Sequence, residues 1–355
     1  MKSRPSQPIL LILLFCALLQ LRAQDNQEPS HACFRLNQDR VIPVAWMKCT
    51  TDSTIYMSDF LTGETWEGKQ VFVRIPGTGT SYTLKINEFP FGSDPGSGQA
   101  CEYNITPFLR EQGNRIALEP VPGQTWAGTF SCPLCGEAVL VIRDGIHIRD
   151  LAISSHMEQG DRHALTRIHL FVKSYLPGKN NIPQLNLKVT DPAGKSIFSG
   201  SLEQNALLSF GQETELNLDI TIEEPMLWSP GHPQLYQMEL AQLTRGSRGR
   251  ETIYTHFGIR NAVVADTLMV FNGDSLCLNL AGDDLLASLI KLPEEEIRNL
   301  IRKNAFNAIQ YNGPLPCSLL TLFDQEGAVF LIPEKPQHPA SIHSHVNSPS
   351  VVRAK

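Results

Sequence analysis

The chain has 355 residues, with 30 Lys and Arg against 36 Asp and Glu and a formal net charge of −6. This slight acidity, with basic residues scattered rather than clustered, excludes nucleic acid and anionic membrane surfaces as expected partners. The length suits two or three domains, and hydrophobic residues at 42% supply their cores.

The first 24 residues have the pattern of a secretion signal. Lys2 and Arg4 precede an apolar run over 9–21, and Ala23 offers a small residue for cleavage next to Gln24. The run is too short and one-sided to anchor the chain in a bilayer. The expectation is export to the periplasm or the cell exterior, with no membrane partner. Once Cys16 has left with the signal, Cys33, Cys49, Cys101, Cys132, Cys135, Cys277 and Cys317 remain, an odd set that cannot be fully paired within the chain. Cys132-Pro-Leu-Cys135 lacks both a second ligand pair for zinc and a helix start for redox work. His338, His343 and His345 lie in a tail rich in Pro and Ser. Neither a metal nor a cofactor is expected.

Residues 31–147 read as a first domain. Val71, Val73 and Ile75, then Tyr82, Leu84 and Ile86, then Ile116 and Leu118 recur at every second position, the period of half-buried strands. Gly, Pro and Ser clusters such as Phe91-Gly-Ser-Asp-Pro-Gly-Ser-Gly98 separate them. Short strands with such turns imply an antiparallel jelly roll. Residues 148–266 give further strands at Ile168, Leu170 and Val172 and at Leu185, Leu187 and Val189, joined by turns such as Asp191-Pro-Ala-Gly194. With about seven strands this is an immunoglobulin-like sandwich.

Within it, Leu216, Leu218, Ile220 and Ile222 alternate with polar residues and lead into Glu224-Pro-Met-Leu-Trp-Ser-Pro-Gly-His-Pro-Gln-Leu-Tyr236. Pro225, Pro230 and Pro233 forbid helix there, because each fixes φ and removes an amide donor. Trp228, held among them, is placed to plug the space between neighbouring elements.

Beyond Asp266 the pattern changes. An apolar run at 276–280, a helix from Pro293-Glu-Glu-Glu296, a strand at 306–310, a helix at 316–323 and an apolar strand at 328–332 follow in turn. Strand, helix, strand, helix, strand is the opening of a parallel α/β unit over 267–335. Residues 336–355 read as a disordered tail. The 328–332 strand then has no neighbour on one side, and an open edge of this kind is expected to recruit a second copy or another chain.

Pro225 to Tyr236, followed by Gly258-Ile259-Arg260, resembles the signature that closes the immunoglobulin-like domain of family 2 glycoside hydrolases, the β-galactosidase, β-glucuronidase and β-mannosidase group. The resemblance implies that Trp228, Pro230, Tyr236, Gly258 and Arg260 lock this sandwich against a catalytic barrel and are not themselves catalytic. Trp66-Glu-Gly-Lys69, Tyr103-Asn-Ile-Thr106 and Gly113-Asn-Arg-Ile-Ala117 are similar to the family's sugar-binding jelly roll, though Asn104 stands where the family has aspartate. Asn104-Ile-Thr106 is also formally a glycosylation sequon, which the family's turn at this place explains better. Ala305-Phe-Asn-Ala-Ile-Gln310, Asp324-Gln-Glu-Gly327 and Leu331-Ile-Pro-Glu334 are similar to the start of its (β/α)8 barrel.

The fold class expected is therefore mainly β: a jelly roll, an immunoglobulin-like sandwich and an incomplete (β/α) barrel. A retaining glycosidase needs two carboxylates about 5 Å apart. In the family these follow the fourth and seventh barrel strands, which lie beyond the segment read here. Hydrolysis by this chain alone is not expected. Asp283, Asp284, Asn312 and Glu334 follow successive strands of the parallel unit, whose carboxyl ends converge on one face, so they are the candidates for contact with a sugar. Carbohydrate is the ligand class that the resemblance implies, in a binding role or as a fragment of a split β-galactosidase-like hydrolase completed by a second chain.

Overall fold

The structure, a computed structural model, describes residues 27–28, 33–50, 54–77, 80–94, 100–123, 137–157, 162–202, 205–243, 250–265, 268–277, 279–281, 288–289, 291–303, 306–311, 315–333 and 347–354. The signal segment, the Cys132–Cys135 pair and the three tail histidines lie outside them. Strands dominate. The chain divides into two compact units, one centred on Ile42–Phe130 with Glu137–Ile142, the other on Ser30–Val41 with Arg143–Lys355.

The first unit is built from two five-stranded sheets. One runs in the order Met47–Thr50, Thr54–Phe60, Asn114–Pro120, Tyr82–Ile86, Phe89–Asp94, and every neighbouring pair is antiparallel. Tyr82, Leu84, Ile86, Ile116 and Leu118 are buried while Thr83, Lys85 and Arg115 face outward, which is why the alternation was readable. In the other sheet Gln70–Ile75 pairs with Cys101–Asn104 and contributes Val71, Val73 and Ile75 to the same core. Phe91 fills its centre, edge-on at 82° to both Tyr103 and Phe108. Asn104 is buried, and its Oδ1 accepts from the Thr106 amide at 3.1 Å and the Thr106 hydroxyl at 2.7 Å. The sequon is thus a closed turn.

The second unit opens with a sandwich. One sheet holds Ile146–His156, His163–Ser174 and Glu213–Glu223; the other orders Ser196–Leu202, Gln184–Thr190, Tyr236–Leu243, Glu251–Phe257 and Arg35–Leu36. The last strand is a correction to the domain boundary at residue 31. Residues 33–41 pack with this unit, because Arg35 and Leu36 pair with Tyr254 and Ile253 and Arg40 is buried against Asp144. Two residues are too few to show a period, so the sequence carried no mark of this strand.

After the sandwich, Ala262–Ala265, Leu268–Phe271 and Asp274–Cys277 form an antiparallel three-stranded sheet. This divides the run at 276–280, read above as one strand: its first part closes the hairpin and its end joins a different sheet. The hairpin turn is Asn272-Gly273, both at positive φ (53° and 96°), a dipeptide that favours such turns.

Four parallel strands follow, Leu280–Ala281, Ala308–Gln310, Val329–Pro333 and Val351–Ala354, in that spatial order. Helix α1 (Glu294–Arg302) begins after Pro293 with three acids in its first turn and buries Ile297 and Ile301; helix α2 (Cys317–Glu326) ends on left-handed Gly327. The described residues make a four-stranded sheet and not a barrel. The fourth strand corrects the reading of a disordered tail over the described residues 347–354, and of the 328–332 strand as open. Phe330 pairs with Val351 and Leu331 with Val352, so that edge is covered from within the chain. The cause is specific bonding that composition does not reveal. Asn347 accepts from the Ile153 amide at 2.5 Å and donates to the Leu151 carbonyl at 3.2 Å, both on the sandwich.

Candidate functional site

The proline-rich stretch leaves the sandwich at Glu224, whose φ of +46° turns the chain out of the 213–223 strand. Tyr236 OH accepts from the Met226 amide at 2.8 Å and closes the loop on itself. Burial pushes the Tyr236 phenol above its usual pKa. The Trp228 amide donates to the Ile259 carbonyl at 2.7 Å, so the two halves of the motif lie side by side. Trp228 is 0% exposed. It shares one buried cluster with Met269 and Phe271 of the hairpin and with Ala308, Val329, Leu331 and Val352 of the parallel sheet, its ring 5.8 Å from that of Phe271. Its indole Nε1 donates to the Asp324 carbonyl in α2 at 2.8 Å. Trp228 thus stands between the sandwich and the parallel sheet of this unit.

Gly258 and Arg260 serve the same junction. A Cβ on Gly258 would sit 2.7 Å from Pro349 and 2.9 Å from Trp228 Cβ, closer than atoms approach. Arg260 donates from Nε to the Pro349 carbonyl and from Nη2 to the Val351 carbonyl, at 2.5 Å each. Burial pushes its guanidinium down to about 10. Pro230 approaches α2 from the other side: a Cβ on Gly327 would meet Gly231 N at 2.7 Å and Pro230 Cα at 3.4 Å.

At the centre of this junction stands Asp324, in the turn Asp324-Gln-Glu-Gly327, whose role the local sequence does not announce. It is 2% exposed. One carboxylate oxygen meets His256 Nε2 at 2.8 Å; the other accepts from the Ser350 amide at 2.9 Å and the Ser348 hydroxyl at 2.5 Å. A buried carboxylate is tolerable only when so satisfied. The signal for it was an acid followed by Gly327 at the end of an otherwise apolar helix face. Its partners lie up to 96 positions away and have no local pattern.

The other buried acids are likewise occupied. Glu251 pairs with Arg143 at 2.9 Å, Asp144 with Arg40 at 2.9 Å and Glu102 with Arg74 at 3.4 Å, while Asp150 accepts from the Leu151 amide at 2.8 Å. Among the described residues no group of three or more His, Cys, Asp or Glu could hold a metal. Asp283, Asp284, Asn312 and Glu334 lie outside the described residues. The strands before them end at Ala281, Gln310 and Pro333, and their parallel pairing puts these three strand ends at the same end of the sheet.

Residues 146–260 match the model of glycosyl hydrolases family 2. The β-galactosidase of Priestia megaterium is 21% identical over 234 residues, 63% of this chain and 22% of that protein. The β-galactosidase large subunit of Leuconostoc lactis is 21% identical over 264 residues, 69% of this chain and 38% of that protein. The chain thus spans well under half the length of these relatives. Among solved structures, a Bacteroides uniformis β-glucuronidase superposes with a TM-score of 0.69 at 18% identity, over 92% of this chain and 46% of that one. A family 2 glycosyl hydrolase of Bacteroides cellulosilyticus gives 0.65 at 20% identity, over 84% and 44%. At these identities the structures speak for the fold.

Proposed function

We propose, from the match of residues 146–260 to the family 2 glycosyl hydrolase model, an exported protein of carbohydrate metabolism that binds sugar and does not hydrolyse glycosides alone. The observation behind this reading is the use made of acids. Each buried carboxylate among the described residues is bonded to a cation, an amide or a hydroxyl. A retaining site needs instead two carboxylates about 5 Å apart, facing a sugar. Asp283, Asp284, Asn312 and Glu334 are the residues proposed to meet the sugar, at the carboxyl ends of the parallel strands, where ligands gather in open α/β sheets. The disulfide Cys33–Cys317 suits an oxidising compartment and so supports export.

The test has two arms. The purified protein is assayed on aryl β-galactosides, β-glucuronides and β-mannosides, and galactose, glucuronate and mannose are titrated calorimetrically. Binding weakened by Glu334→Gln, without turnover above the buffer blank, is the expected result. Turnover that Glu334→Gln abolishes would overturn the non-hydrolytic reading, and no binding of any sugar would overturn the binding role.

One observation favours a second reading, a part of a divided hydrolase. A relative of similar sequence is named as a large subunit, which implies an enzyme shared between chains. Hydrolysis that appears only when a second chain supplies further barrel strands would select this reading.

A further inference from the structure

Residues 33–40 form a strap across the second unit, fastened differently at its two ends. At the front, Cys33 is bonded to Cys317, the first residue of α2, across 284 positions, with Cα atoms 5.3 Å apart. The Thr255 hydroxyl donates to the Cys33 carbonyl at 3.0 Å. Arg35 and Leu36 add a two-residue strand to the edge of Glu251–Phe257. Behind them, the Asn37 amide donates to the Thr252 carbonyl at 3.1 Å, and the Thr252 amide returns a bond to Asn37 Oδ1 at 3.0 Å. The rear fastening is the buried pair Arg40–Asp144 at 2.9 Å.

The front and the rear respond to different chemistry. A two-residue ladder is marginal by itself, so residues 33–36 depend on the covalent bond, whereas Arg40 does not. The same bond pins the first turn of α2, whose last turn is held separately by the contacts of Asp324. We propose that Cys33–Cys317 is a redox-sensitive clasp: intact, it holds the strap on the sheet edge and the start of α2 on the strap. Reduced, it frees both while the rear of the strap and the Asp324 end of the helix stay in place.

The opening step is thiol–disulfide exchange with a dithiol reductant. A thiolate of the dithiol attacks one sulfur, and the other leaves as a thiolate that takes up a proton. The reductant's second thiolate then closes its own disulfide and releases the remaining cysteine. Two electrons pass from the dithiol to the pair. The structural result is local opening of an element of low independent stability, not global unfolding.

The experiment uses the full chain, oxidised and then treated with dithiothreitol, read by hydrogen exchange and brief trypsin digestion. Reduction is expected to speed exchange by about tenfold or more in peptides covering 33–37, 250–256 and 317–322, and to open the bond after Arg35 to trypsin. Exchange in the 70–75 strand of the first unit should not change. Cys33→Ser should reproduce the reduced pattern and remove any further effect of the reductant. Should that variant fail to fold, the reductant arm still decides, since it starts from folded protein. Unchanged protection after alkylation has shown both thiols to be reduced would overturn the proposal. So would finding Cys33 and Cys317 both alkylated without reductant.

Discussion

At the scale of single residues, Trp228 and Asp324 carry the junction between the sandwich and the parallel sheet of the second unit. Trp228→Ala empties a site lined by Phe271, Val329, Leu331 and Val352 and leaves the Asp324 carbonyl without its indole donor. A loss of about 3–5 kcal/mol is expected, measured as a lower denaturant midpoint. Tyr236 gives a prediction in pH. Its phenol pKa is raised by burial, so the folded chain holds that proton more tightly than the unfolded chain does. The resulting stabilisation is full below about pH 10, the ordinary tyrosine value, and is lost as pH rises above it. Tyr236→Phe forfeits the bond from the Met226 amide, about 1 kcal/mol, but no longer titrates. The gap in stability between the two proteins should therefore shrink as pH rises above about 10; a constant gap would refute the assignment. Trp228 was legible in the sequence because a large aromatic among three prolines has few other uses. Asp324 was not, because what makes it special is the set of donors brought to it from Trp228, His256, Ser348 and Ser350.

At the scale of elements, the end of α2 is constrained both by its backbone conformation and by a close main-chain approach. Gly327 has φ +71°, and a Cβ there would lie 2.7 Å from the backbone nitrogen of Gly231. Gly327→Ala should cost about 1–3 kcal/mol, since strain in the left-handed region adds to a clash with main chain. Gly178 has a similar φ of +76° with nothing within 4 Å, so Gly178→Ala isolates the backbone part and should cost less. Thermal unfolding of both variants measures the difference, and equal losses would show that the close approach contributes nothing. Strands of five or more residues were legible where one face is buried, as in Tyr82–Ile86 and Glu213–Glu223. The hairpin at Asn272-Gly273 was not read from the sequence, although its dipeptide favours such a turn, and the apolar run after it suggested a single longer strand. The two-residue strands Arg35–Leu36 and Leu280–Ala281 have no period at all. The long strand Glu213–Glu223 lies at a sheet edge, and its outward Glu213, Glu215, Asp219 and Glu223 discourage pairing with another chain.

At the scale of the whole molecule, the segment 347–354 does two jobs. It covers the Val329–Pro333 edge and supplies donors to Asp324 through Ser348 and Ser350. Removing residues 347–355 should uncover an apolar strand and leave a buried carboxylate short of donors. The truncated protein is expected to associate at concentrations where the full chain does not, as sedimentation velocity would show. Identical sedimentation of the two would mean that the edge is guarded by something else. The sandwich architecture was readable from alternation alone, whereas the fourth parallel strand was hidden because its segment is rich in Pro, Ser and His. Composition marks a chain that cannot build a core of its own, yet here a few specific bonds seat it on a core that others have built.

The strand Glu251–Phe257 takes its edge partner from residues 35–36, while His256 waits on Asp324 and the Arg260 that follows waits on Pro349 and Val351. Translation delivers these parts at widely separated times. The earliest part, Cys33, has its covalent mate at Cys317. A nascent chain therefore cannot finish this strand's surroundings while it is being made, and long-range closure of this kind is slow. The chain therefore stays unlocked until its distant parts exist together, and the Cys33–Cys317 bond then records that they have met.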